Sequence, residues 1–219
     1  MIANLVKILS RYGMVFLSGL GNTLWISAVS IIFGTFLGIF IALGKLSKRK
    51  ILNVAASVYV EVLRGTPLLL QLYLFWLGLP YLFKDISDLL CVLIALIINS
   101  SAYVAECIRA GIQAVDSGQR EAALSLGMTE GKIMRKVIFP QAIKNILPAL
   151  GNEFIVMIKE SSMASVFFIG ELMTSFKVVQ SNMFLAIEPL MIVGAIYLCV
   201  TVTLTRVLKV FERRLNANG

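Results

Sequence analysis

The sequence predicts an all-α membrane protein: five transmembrane helices and one long polar loop on the cytoplasmic side. Three observations carry that reading. Of 219 residues, 58% are hydrophobic and only 15% charged, with a mean hydropathy of +0.89, an unsuitable balance for a soluble domain of this size. The apolar residues gather into five stretches of the length that a ~30 Å hydrocarbon core requires of a helix. The Lys and Arg residues sit in short blocks flanking those stretches, so the net charge of +8 bears on topology and makes nucleic acid a poor partner.

Taken in order, Met1 to Gly19 is apolar with Lys7 and Arg11 but has no convincing small-residue cleavage site. It reads as a retained segment lying at the membrane interface ahead of the first crossing. The first span covers about 22–46 and closes on the basic run from Lys45 to Lys50. The second, 51–83, is interrupted by Arg64-Gly65-Thr66-Pro67 and is expected to bend or restart at Pro67. The third runs over 89–114, the fourth over 148–173 and the fifth over 186–210, ending in a charged tail with Arg213 and Arg214. The whole chain, 1–219, reads as one transmembrane domain without repeat or linker.

Orientation follows from the charges. The blocks 45–50, 109–144 and 206–214 hold four, six and four Lys/Arg, against two, one and one in 1–11, 81–88 and 171–188. Fourteen against four places the first set in the cytoplasm, with the N-terminus outside and the C-terminus inside. The three cysteines, Cys91, Cys107 and Cys199, each lie within an apolar span and histidine is absent. Neither a metal site nor a disulfide framework is indicated.

The loop over 115–147 is the most polar stretch. Gln119 to Leu126 is a run of helix formers that Gly127 can close in a left-handed conformation. Thr129 can cap a second short helix that begins with Glu130, and Pro140 and Pro148 delimit the segment leading into the fourth span. Such a knob is expected to have no core of its own and to fit into something else. It is not a nucleotide site. Gly127 to Ile133 is one residue short between its glycines for a phosphate-binding loop, and Ile133 stands where magnesium needs Ser or Thr. No enzyme is evident in the chain.

At these residues a resemblance enters. Glu121-Ala122-Ala123, then Gly127 after three residues, then Val137-Ile138-Phe139-Pro140 after nine more, resembles the EAA loop of bacterial ABC importer permeases. Val137 and Phe139 replace the family's Ile and Leu. Arg64 to Leu69 with Gln71, Ser101 to Glu106 with Arg109, Gly118-Gln119, and Lys159-Glu160-Ser161-Ser162 extend the likeness to the polar amino-acid permeases over nearly the whole chain. The resemblance implies a type I ABC importer architecture in the bacterial cell membrane and a dimer, either of this chain or with a related permease. It also implies a separate ATPase subunit that binds ATP and magnesium, and an extracytoplasmic amino-acid-binding protein. Glu121, Ala122, Ala123 and Gly127 are then the coupling residues. No cofactor belongs to this chain.

Ionisable residues at membrane depth are functional candidates. If the fourth helix starts near Pro148, Glu153 lies about 7 Å and Glu160 about 18 Å into the membrane. Seven residues apart, the two share a helix face at a spacing of about 10 Å, with Met157 between them. Lys159 points roughly 120° away from Glu153. Such a ladder suits a ligand with two positive ends, such as arginine or lysine, and Asn99, Ser100 and Ser101 offer hydrogen bonds without net charge.

Other roles stand beside these. Glu160 can form a structural ion pair with Arg64 or Lys159, and Glu153 can snorkel to the cytoplasm. Arg64 can attract a substrate carboxylate or fix the bent second helix. Glu106 and Arg109 read as a structural pair. The function predicted is import of polar, cationic amino acids (arginine, lysine, histidine), with a neutral or acidic amino acid such as glutamine or glutamate as the alternative. An ATP-independent secondary transporter would need an ion-coupling site and usually internal repeats. A non-transporting membrane factor would leave a partner's ATPase indifferent to substrate.

Overall fold

The structure, a computed structural model, describes residues 1–217 and is helical throughout. Helix α1 spans Ile2–Lys45, α2 Lys50–Gly65, α3 Leu68–Leu82 and α4 Asp88–Gln113. The loop holds α5, Ser117–Ser125, and α6, Glu130–Ile133, which passes through a π-helical turn, Met134–Ile138, into α7, Phe139–Glu160. A 3₁₀ segment, Ser161–Phe167, then leads to α8, Leu172–Met183, and α9, Ile187–Ala217.

The N-terminal segment differs from expectation. Residues 1–20 continue the first span without a break, so α1 is 44 residues long, or ~66 Å at 1.5 Å per residue. The reason is a single buried stripe at helical spacing: Phe16, Gly19, Thr23, Ile26, Ser30, Gly34, Gly38 and Ala42. Its first part packs, with Ile8, on Leu172, Val179, Ile192 and Val193 of α8 and α9. Its second part is made of small residues and lies against α4. A Cβ on Gly34 would stand 2.5 Å from Ser100 Oγ, so the α1–α4 approach requires glycine there.

Between α2 and α3 the chain turns by 106°. Thr66 and Pro67 are both extended, because a residue before proline is pushed out of the helical region. Gln71 staples the break. Its Nε2 donates to the carbonyls of Leu63 (2.7 Å) and Thr66 (3.2 Å) and to Thr66 Oγ1 (2.9 Å), satisfying acceptors that the end of α2 leaves free.

The fourth span also departs from the reading over 148–173. Helix α7 begins at Phe139 and carries Pro148 inside it, while its α-helical part ends at Glu160. Phe168 and Gly170 take left-handed conformations (φ 53° and 81°) before α8 begins. The fifth helix runs on through the charged tail to Ala217. Among the described residues, three helices are long and apolar enough to cross a membrane; counting each bent pair, α2–α3 and the segment from Glu130 to Met183, as one crossing gives five.

Glu171, in the segment counted as an outer loop, is fully buried and caps α8. Its carboxylate accepts from the Met173 and Thr174 amides (2.7 and 2.6 Å), from Thr174 Oγ1 (2.9 Å) and from the Tyr197 hydroxyl (3.2 Å). Four donors leave no lone pair seeking a ligand, and the role is structural.

Candidate functional site

The loop forms two short helices meeting at a left-handed glycine. Asp116 caps α5 by accepting from the Gly118 amide at 2.7 Å. Gly127 has φ +74°, its amide donates to Leu124 O (2.9 Å), and the Met128 amide donates to Ala123 O (3.1 Å), the paired bonds of a Schellman closure. Thr129 has the extended backbone of an N-cap residue, but its hydroxyl makes no capping bond. The knob has a core after all. Ala123, Ile133 and Ile138 are buried together with Ile112, Val115, Met128 and Val137 against them. Of the EAA residues, Ala123 is therefore internal, while Glu121, Ala122 and Gly127 face outward. Arg120 and Glu130 bridge the two short helices, and that guanidinium holds the Glu130 carboxyl below the usual carboxylate range.

The second region is the face of α7 that carries Glu153 and Glu160. Both are half-buried. Glu153 Oε1 lies 4.0 Å from Cys107 Sγ on α4. Glu160 is the last α-helical residue, where the helix tightens to 3₁₀, a change of pitch that often marks a hinge. The ion pairs among the described residues involve neither carboxylate, so the pairing of Glu160 with Arg64 or Lys159 does not form here. Arg64 instead lies 3.9 Å from Glu106 and 5.3 Å from the ring centroid of Tyr103. Glu106 also receives Lys45 Nζ at 3.0 Å and the Arg109 guanidinium, tying α1, α2 and α4 together.

The remaining sequence-selected residues are drawn into packing. Met157 is 3% exposed and fills the core beside Ile26, Leu72, Leu96 and Phe167 instead of standing open between the carboxylates. Asn99, Ser100 and Ser101 are buried and face three different helices. Asn99 Nδ2 donates to Gln71 Oε1 of α3 (2.8 Å), Ser100 abuts Gly34 of α1, and Ser101 Oγ lies 2.7 Å from the Tyr59 hydroxyl of α2. Residues adjacent in sequence project about 100° apart on a helix, so a run of three polar residues cannot share one face. Tyr103 of α4 adds an aromatic hydroxyl to this region: it is half-buried, its ring centroid lies 5.3 Å from the Arg64 guanidinium, and it stands one turn from Cys107, the neighbour of Glu153. Its place inside the Ser101–Glu106 motif was the available signal.

Residues 34–217 match the family described as the binding-protein-dependent transport system inner membrane component. The arginine transport system permease protein ArtQ of Bacillus subtilis is 43% identical over 203 residues, 92% of this chain and 93% of that one. The putative glutamine transport system permease protein GlnP of Rickettsia bellii is 38% identical, covering 88% of this chain and 89% of that one. A chain from the crystal structure of an amino acid ABC transporter with histidines is 51% identical with a TM-score of 0.91, covering 94% of this chain and 96% of that one. The inward-facing MetNI methionine ABC transporter, at 18% identity and a TM-score of 0.77 over 92% and 96% of the two chains, shares the fold. With more than half of its length matched and such relatives aligned nearly end to end, the chain belongs to the family of binding-protein-dependent transport system inner membrane components, among the amino-acid ABC permeases.

Proposed function

We propose that this chain is the membrane-spanning subunit of an ATP-driven importer that carries polar, cationic amino acids into the cytoplasm. The observation that supports it most is the α7 face: Glu153 and Glu160, half-buried and outside every ion pair among the described residues. Carboxylates kept away from water without a partner are costly, and a bound cation relieves that cost. Glu160, at the helix break, holds the α-ammonium common to all amino acids. Glu153 selects a positive side chain, and Tyr103 closes the site from α4. The substrate carboxylate meets Arg64, whose guanidinium is only loosely engaged at 3.9 Å from Glu106. Met157, Asn99, Ser100 and Ser101 act one layer back, by fixing the helices that carry these groups.

The N-terminus lies outside the bacterial membrane and the C-terminus inside. The Glu121-Ala122-Ala123 turn with Gly127 then docks on a separate ATPase, which binds the ATP and magnesium. An extracytoplasmic binding protein delivers the substrate, and a second permease, most simply a second copy of this chain, completes the pathway. A bound substrate favours the outward-open or the inward-open state only if its own contacts differ between the two. The 3₁₀ segment after Glu160 is the hinge at which they change. The ArtQ relative is named for arginine and supports the cationic reading, while the GlnP relative keeps glutamine as the rival. The complex, purified with its associated subunits and reconstituted, should show ATPase stimulation by arginine, lysine or histidine with the binding protein present. Stimulation by glutamine or glutamate alone would overturn the cationic assignment.

A further inference from the structure

We propose that a cavity between α4, α7 and the end of α9 is a second amino-acid subsite, which receives the zwitterion after it leaves the carboxylate face of α7. The cavity measures about 450 Å³ and is lined by Cys107, Gly111, Lys144, Asn145, Pro148 and Glu212 among others. That volume falls within the ~300–1,000 Å³ of small-ligand sites.

Three features favour a free amino acid. First, the cavity presents one cation and one anion from different helices, Lys144 of α7 and Glu212 of α9. Neither belongs to an ion pair among the described residues. An α-amino acid carries a carboxylate and an ammonium on one carbon, so it can engage both side chains at once, with the Asn145 amide as a further donor or acceptor. Second, the subsite supplies a further cation. At the α7 face two carboxylates serve the substrate's positive groups, and Arg64, which meets the substrate carboxylate there, is also engaged by Glu106 at 3.9 Å. Lys144 offers the substrate carboxylate an unshared cation. Third, the two places are joined. Cys107 forms part of the cavity wall, and its sulfur is 4.0 Å from Glu153 Oε1. A substrate released from Glu153 moves past Cys107, over the α4–α7 contact where Gly111 meets Ile146, toward the cytoplasmic side in the proposed orientation.

This inference rests on the importer reading and on its orientation, and its test separates the two. Ala114 lines the same cavity and is exposed, so Ala114→Cys is placed in a background with Cys91, Cys107 and Cys199 changed to alanine. The assembled transporter is prepared in inside-out vesicles without ATP and labelled with an impermeant maleimide. Arginine should slow the labelling several-fold. Lys144→Gln or Glu212→Gln should raise the half-protecting concentration at least about tenfold, the usual effect of one lost charge-assisted contact. Lys144→Arg and Glu212→Asp should retain protection, which excludes misfolding as the cause. Glu153→Gln should retain protection while uptake of arginine falls.

The subsite is overturned if none of arginine, lysine, histidine or glutamine slows labelling. It is equally overturned if the charge variants protect as well as the parent, or if Glu153→Gln abolishes protection, since one site would then explain everything. Labelling blocked in the bilayer whether or not an amino acid is added would assign the cavity to a zwitterionic lipid headgroup instead. Protection by glutamine but not by arginine would support the subsite and overturn the cationic substrate class.

Discussion

Asn99 of α4 donates its Nδ2 hydrogen to Gln71 Oε1 of α3 at 2.8 Å, and the same Gln71 closes the broken end of α2 through the Leu63 carbonyl at 2.7 Å. One amide pair therefore joins three helices at a point where the backbone cannot satisfy itself. Removing either partner leaves buried polar groups unpaired, at about 1–3 kcal/mol for each group. Gln71→Leu is expected to lower stability by roughly 2–4 kcal/mol. Because Asn99→Leu in the same chain removes the second orphan, the double variant should cost less than the sum of the singles. Thermal unfolding of the four proteins in detergent tests this; additive losses would show that the two amides act separately.

Gly127 has a different physical role. Its φ of +74° is in the left-handed region, yet a Cβ placed there would meet nothing within 4 Å. Any effect of substitution is thus backbone strain, about 1–2 kcal/mol for most residues and least for asparagine. Gly127→Val should insert normally but uncouple transport from ATP hydrolysis, and Gly127→Asn should retain most coupling. Transport per ATP hydrolysed, measured in reconstituted vesicles, decides; wild-type coupling in the valine variant would remove this turn from the docking role.

Much of this architecture is legible in the sequence, and the hidden part has identifiable causes. The break at Pro67 is visible because proline constrains both itself and its predecessor. The loop closure is visible because a glycine comes after a run of helix formers. The continuity of α1 is hidden, since Gly13, Gly19 and Gly21 look like interruptions. The structure shows Gly19 serving close approach instead, with a Cβ there only 2.1 Å from Ser175 Oγ of α8. The true start of α7 is hidden by Pro148, which lies within the helix and borders the open cavity beside Lys144. The proline removes the amide that would have bonded to the Lys144 carbonyl, a loss more tolerable where water can reach. The shared face of Glu153 and Glu160 follows from spacing alone. The engagement of Asn99, Ser100 and Ser101 by three other helices is tertiary, and no local pattern encodes it.

The orientation of the chain makes a prediction of its own. Single cysteines at Ser87 and Ser181, both exposed in the structure, should react with an impermeant thiol reagent added to sealed cells. Cysteines at Ser47 and Ser117 should be protected until the membrane is opened. Both outcomes follow from the asymmetry of Lys and Arg, fourteen on one side against four on the other. Reaction at Ser47 or Ser117 in sealed cells would reject the five-crossing topology.

The sharpest expectation concerns the two carboxylates of α7. Glu153 and Glu160 share a face, stand about 10 Å apart by helix geometry, and lack an internal ion-pair partner among the described residues. A carboxylate that pairs with the substrate side chain contributes only when that side chain is positive. One that holds the α-ammonium contributes for every amino acid. Glu153→Gln should therefore impair uptake of arginine, lysine or histidine and tolerate or improve uptake of glutamine, while Glu160→Gln should impair them all. Each loss is on the order of 1.5–3 kcal/mol, or roughly ten- to a hundred-fold in affinity. The measurement is initial uptake in reconstituted vesicles with the delivering protein saturated, so that permease affinity and not capture limits the rate. Equal losses for arginine and glutamine in Glu153→Gln would refute a selective role for that residue. Unchanged uptake in both variants would remove the α7 face from the pathway and leave the importer assignment resting on the fold and the relatives.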